Sequence, residues 1–167
     1  MNKNWNGIMK VLEVQHIRNN KVIWEDVNLY NMLHGEGQKL ILEAVFAGGS
    51  IPSSYYMGLD NRETLAVEDT LESLYAEPSL NGYSRDTISS ATDFTVAAEE
   101  SGNYKAQSVL LTFIASGGSW GPVKHLFMAS TANNTGELIS SVTLSEALSL
   151  SDGDIVNLRI NLSLTDC

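Results

Sequence analysis

The chain has 167 residues, a net charge of −10 and a single cysteine, Cys167. Its 43% hydrophobic and 18% charged residues, with a mean hydropathy of −0.07, describe one globular domain long enough for an ordinary core. One cysteine excludes an intrachain disulfide and a cysteine-based zinc site, and twenty acids against ten bases argue against binding nucleic acid. No apolar run approaches the roughly 18 to 20 residues of a bilayer span, and Met1 to Gly7 lacks the apolar core of a secretory signal, so no membrane partner is expected.

In chain order, Ile8 to Asn28 reads as a β-hairpin, with Val11, Ile17, Val22, Ile23 and Trp24 in β-favouring runs around an Asn19-Asn20 turn. An isolated hairpin is marginal in water, so this one needs the main domain or a neighbouring subunit to cover it. Residues 1–28 are therefore expected as an arm and hairpin, and residues 29–167 as one helix-plus-β-sandwich domain. From Leu29 to Ala47 the spacing of Leu33, Leu40, Ile41, Ala44 and Val45 predicts the main α-helix, with Asn28 as N-cap, Gly48-Gly49 as stop, and firm helix only after Gly37.

After Pro52 the pattern turns to β, starting with Tyr55, Tyr56, Met57 and Leu59. A single or double helical turn is expected over Asp69 to Tyr75, with Asp69 as N-cap, Glu72 three residues later, and Leu71 and Leu74 turned inward. Strands are then expected over Tyr83–Ser89, Phe94–Ala97, Tyr104–Ile114, Val123–Ala129, Glu137–Leu144 and Ile155–Leu164. The turns between them are Glu100-Ser101-Gly102-Asn103, Ser116-Gly117-Gly118-Ser119, Asn133-Asn134-Thr135-Gly136 and Ser151-Asp152-Gly153-Asp154. Six or more short strands with such turns predict a mainly β fold, an antiparallel β-sandwich or jelly roll.

The sequence carries little that points to reaction chemistry. His16, His34 and His125 lack a partner at ligand spacing, and His34-Gly35-Glu36 has no Pro-Cys-x-x-Cys companion to make a zinc deaminase site. Asp152-Gly153-Asp154 is more simply a hairpin turn than a calcium loop. Asn133-Asn134-Thr135 and Asn161-Leu162-Ser163 match the glycosylation sequon by chance. No catalytic residue, cofactor or metal is expected. Trp120, between glycines and ahead of Pro122, reads as a plug closing the core, and Tyr83 and Arg85 as partners of a nearby acid.

Two surfaces stand out instead. The hairpin residues Val22, Ile23, Trp24, Glu25 and Asp26 are candidates for interaction by strand addition. Ten acids between Asp60 and Glu100 face only Arg62 and Arg85, and Glu68, Asp69 and Glu72 within that stretch could meet a basic partner.

The ordered blocks Ile23-Trp24-Glu25-Asp26, Leu33-His34-Gly35-Glu36-Gly37, Tyr56-Met57-Gly58-Leu59-Asp60-Asn61-Arg62, Glu77 to Arg85, Gly117 to Val123 and Ser151 to Leu158 resemble those of a family of tailed-bacteriophage virion structural proteins. The resemblance covers nearly the whole chain from about residue 22 and implies a non-enzymatic component of the particle, on the head or the tail. The expected function is a capsid decoration or cement protein, a homo-oligomer such as a trimer bound to the major capsid protein. A tail, neck or fibre-base component bound to tail proteins is the alternative, and a carbohydrate-binding host-attachment module the second. Assembly in the bacterial host cytoplasm and location in the virion follow from the same resemblance.

Overall fold

The computed structural model describes residues 5–99 and 102–166, with side chains over 10–99 and 102–163. Glu100 and Ser101 of the expected turn, the Leu164 side chain and Cys167 lie outside the described residues. The strands are β1 (Trp5–Arg18), β2 (Lys21–Leu33), β3 (Ser54–Asp60), β4 (Asp86–Ser89), β5 (Phe94–Ala98), β6 (Tyr104–Ser108), β7 (Leu111–Ile114), β8 (Trp120–Ala129), β9 (Leu138–Leu150) and β10 (Ile155–Asp166). The helix α1 spans Gly35–Phe46. All strand pairs are antiparallel, in the order β4-β3-β8-β9-β2-β1-β10-β6-β5, with β7 also on β10. The result is a nearly closed, mainly antiparallel β fold of sandwich or barrel type, with one helix and an N-terminal hairpin.

The hairpin forms around Asn19 and Asn20, whose φ values of 51° and 59° suit the left-handed backbone of a two-residue turn. Its cover comes from the same chain. β1 lies between β2 and β10, paired with β10 from Trp5 to Ile17, and Val11 and Val14 are fully buried in the core.

The helix prediction for Leu29 to Leu33 fails. Those residues continue β2, and the helix starts at Gly35 after an extended His34. Leu29 and Leu33 both face the core, and a spacing of four residues is shared by one face of a helix and one face of a strand. Asn28 is not a helix cap. At φ 57° it sits inside β2, which pairs β1 up to Tyr30 and β9 from Asn31 to Leu33, so β2 joins the two halves of the sheet. Gly37 is the buried helix residue, where an added Cβ would run into the backbone of Ile139. It is a close-approach glycine rather than a flaw in the helix.

Other boundaries move as well: β8 opens at Trp120 instead of Val123, and β9 runs on to Leu150 instead of ending at Leu144. Tyr83 and Arg85 precede β4 instead of opening it. The Tyr104–Ile114 strand breaks into β6 and β7, because Ser108, Val109 and Leu110 lie opposite only Arg159 and Ile160 of β10. The Ser108 hydroxyl repairs the ladder there, accepting the Ile160 N–H at 3.1 Å and donating to the Val109 carbonyl at 2.8 Å. Asp69 to Tyr75 forms turns, not a helix. The Asp69 carboxylate accepts the Ala66 N–H behind it at 2.7 Å, although Leu71 and Leu74 do turn inward as expected.

The turn blocks meet at one end of the molecule. Asn81 accepts the Ser116 N–H at 3.0 Å and donates to the Ser119 carbonyl at 3.0 Å, and Asp152 accepts the Gly117 N–H at 2.7 Å. Trp120 closes the core beside them. It is 5% exposed, donates its indole N–H to Leu80 and Asn81 carbonyls at 3.1 Å, and meets the Tyr83 ring edge-on at 5.3 Å.

Candidate interaction surface

The eight candidate residues fall on two elements, β2 and the loop after β3. On β2, Val22, Ile23 and Glu25 are exposed. Trp24 is half-buried against the core opposite His16, and Asp26 accepts the Val27 N–H at 3.0 Å and the Ser145 N–H of β9 at 3.0 Å. In the loop, Glu68 and Glu72 are exposed, whereas Asp69 serves the Ala66 N–H and lies 3.6 Å from Arg62. Trp24, Asp26 and Asp69 are thus engaged inside the protein, leaving Val22, Ile23 and Glu25 on one element and Glu68 and Glu72 on another as free surface.

Strand register adds residues that the sequence alone left apart. Val22 lies directly across from Ile17, Ile17 across from Ile155, and Ile155 across from Ile114. Their neighbours His16, Val156 and Phe113 are buried, so by alternation this four-strand row points outward. Val22 is 49% and Ile114 52% exposed. The next row, Glu25, Gln15, Asn157 and Thr112, is polar, with Thr112 donating to Asn157 at 2.8 Å. Ile23, Val27, Tyr30 and Met32 add exposed apolar surface along β2, and no described strand pairs with Lys21 to Tyr30 on the side away from β1. Only a cross-strand register could have revealed the row, and Ile17, Ile114 and Ile155 carry no local signal of their own.

Several buried polar side chains tie elements of the fold together. Asp154, 2% exposed, receives Arg18 at 2.6 and 2.9 Å, His16 at 2.8 Å and the Ser151 N–H at 2.7 Å. The Arg18 hydrogen bond, helped by Ser151 and His16, holds the carboxyl well below the usual carboxylate range despite its burial. Glu77 takes Arg85 at 2.7 and 2.8 Å and the Tyr83 hydroxyl at 2.7 Å, and burial pushes the Tyr83 phenol well above its ordinary value. Arg85 also donates to the Thr131 and Asn133 carbonyls at 2.9 and 2.8 Å, so the expected acid partnership ties a loop to the sheet. Glu36 in α1 accepts the Leu71 and Leu138 N–H groups at 2.9 and 2.7 Å. His34 donates or accepts with Ser141 at 2.8 Å, and burial lowers its pKa and that of His125. Among the described residues, no three His, Cys, Asp or Glu side chains are grouped as a metal site would need. No helix among them is long and apolar enough to cross a membrane.

Residues 37–165 match the family described as podophage GP4 fiber I protein gp80. The chain belongs to this family. No curated protein matches it. As a member of the podophage fibre family it is a tailed-bacteriophage structural protein and a component of the virion.

Proposed function

We propose that this protein is a non-enzymatic, tail- or fibre-associated structural subunit that docks on a neighbouring virion chain through the outward apolar row and the unpaired side of β2. The family is described as a fibre protein, which favours the tail reading over capsid decoration on the head. The observation that supports the docking surface is the row Val22, Ile17, Ile155 and Ile114, continuous across four strands and facing water. Burying such β-branched surface gains about 25 cal/mol per Å², and an unpaired strand edge supplies backbone donors and acceptors for an incoming strand. The occupant is a tail protein or a further copy of this chain, and Glu68 and Glu72 are a separate acidic patch for a basic region of that neighbour.

Charge placed in the row tests this. Val22→Lys with Ile114→Lys should leave the far-UV spectrum and melting temperature close to those of the parent, because both side chains are half in water. Particles assembled with that variant should lack the protein, as read by mass spectrometry of purified virions. Normal incorporation would remove the row from the interface. The same assay on Glu68→Lys with Glu72→Lys reports whether the acidic loop takes part.

A further inference from the structure

The chain has four arginines, and three of them each hold a carboxylate: Arg18 with Asp154 at 2.6 Å, Arg62 with Asp60 at 3.2 Å and Arg85 with Glu77 at 2.7 Å. Arg159 holds none among the described residues. Glu13 lies across from it on β1 without forming an ion pair, and the Arg159 Nε is buried with no acceptor. On β10 the core residues Leu158 and Ile160 alternate with Arg159 and Asn161, so Arg159 points outward, on the face of the docking row and two rows along from Ile155. Lys10, across from Asn161, shares that face; its ammonium sits 5.5 Å from the centre of the Tyr30 ring and has no carboxylate partner among the described residues. Val27 and Leu110, 51 and 44% exposed, stand on either side in the neighbouring strands. A buried guanidinium donor without an acceptor costs free energy, and an incoming carboxylate recovers it through charge-assisted hydrogen bonds.

The carboxylates that are free to do this lie on the opposite wall. On β8 and β9, Leu126, Met128 and Ile139 belong to the main core, whereas Phe127, Ala129 and Leu138 point the other way and are covered by Leu71 and Leu74. The loop after β3 therefore lies on the far side of the sandwich from Arg159. It presents Glu68 and Glu72 to solvent, neither with a hydrogen bond or ion pair among the described residues, beside Val67 at 47% exposure. Acid loop and basic face are complementary in charge and in their apolar neighbours, yet they cannot meet within one chain. We infer that they meet between copies, Glu68 and Glu72 of one chain binding Arg159 and Lys10 of the next. Such a contact joins two different surfaces, so it repeats head to tail and either closes a ring or runs on as a filament. It rests on the reading of this outward face as a docking face, and it commits the occupant to a second copy of this chain.

Sedimentation velocity of the full chain over a concentration series tests this. Wild type should associate beyond the monomer, and less so as salt rises, because exposed charge pairs are screened. Arg159→Glu and, separately, Glu68→Lys with Glu72→Lys should each weaken association by about tenfold or more, with the far-UV spectrum unchanged. Mixing these two variants should restore association, since the intact loop of one meets the intact face of the other, a recovery that misfolding could not produce. A wild type that stays monomeric throughout overturns the contact between copies. So does association that neither variant weakens, or a mixture that stays apart. If wild type is monomeric while virions still lose the Val22→Lys, Ile114→Lys variant, the docking face stands, this inference fails, and the occupant is another tail protein.

Discussion

Asp154 concentrates more stabilising contacts than any other single carboxylate described above, because Arg18, His16 and the Ser151 N–H converge on a side chain almost without solvent. Asp154→Asn keeps the shape but removes the anion and turns one acceptor oxygen into an NH2 donor, so Arg18, His16 and the Ser151 N–H compete for the single acceptor that remains. A loss of about 3 kcal/mol is expected by chemical denaturation, at the low end for a broken buried pair because Arg18 is partly in water. The pH dependence follows from the direction of the shifts. His34 and His125 are lowered by burial, so the unfolded chain takes up their protons first, at about pH 6.5, and stability falls as pH drops below that value. Asp154 is depressed, so its contribution is full above about pH 3.9 and is lost as pH falls further. The melting temperature should therefore decline from pH 7.5 to 5.5, and His34→Gln with His125→Gln should flatten that slope. A flat wild-type profile would contradict the buried neutral histidines. Trp120→Ala should cost roughly 3 to 5 kcal/mol, since a large core aromatic and two carbonyl partners go at once. A near-unchanged denaturation midpoint would mean that the corner does not depend on this ring.

At the scale of elements, α1 is seated by contacts rather than by local signals. His34 makes no side-chain cap to it, and Glu36 reaches away to Leu71 and Leu138. In a free helix Gly37→Ala would gain about 1 kcal/mol. Here the added methyl meets the Ile139 backbone, so the substitution should lower the melting temperature, and a rise would show that α1 can shift off β9. The hairpin carries a similar lesson. Its turn was legible because Asn19-Asn20 is a local device, whereas the pairing of β1 with β10 joins residues far apart in the chain and leaves no local trace. Deleting residues 1–28 removes Val11 and Val14 and uncovers β10, so the remainder should be unfolded or insoluble. A soluble, cooperatively melting remainder would show that β1 is dispensable to the core. The same reasoning explains the misread start of α1: Leu29 and Leu33 are periodic in either structure, and only pairing with β1 and β9 decides between them.

For the whole molecule, alternation and turn chemistry were enough to give an antiparallel sandwich-like fold, and the corner blocks Glu77 to Arg85, Gly117 to Val123 and Ser151 to Asp154 do come together. The surface was harder to read. Val22 and Ile23 were visible as an exposed candidate, but the row through Ile17, Ile155 and Ile114 needs three registers that sequence does not encode locally. Placement in the particle is the claim on which the functional account turns. A reconstruction of the intact virion measures it directly: density for this fold in the tail or its fibres is the predicted result, and density distributed over the capsid shell would contradict it.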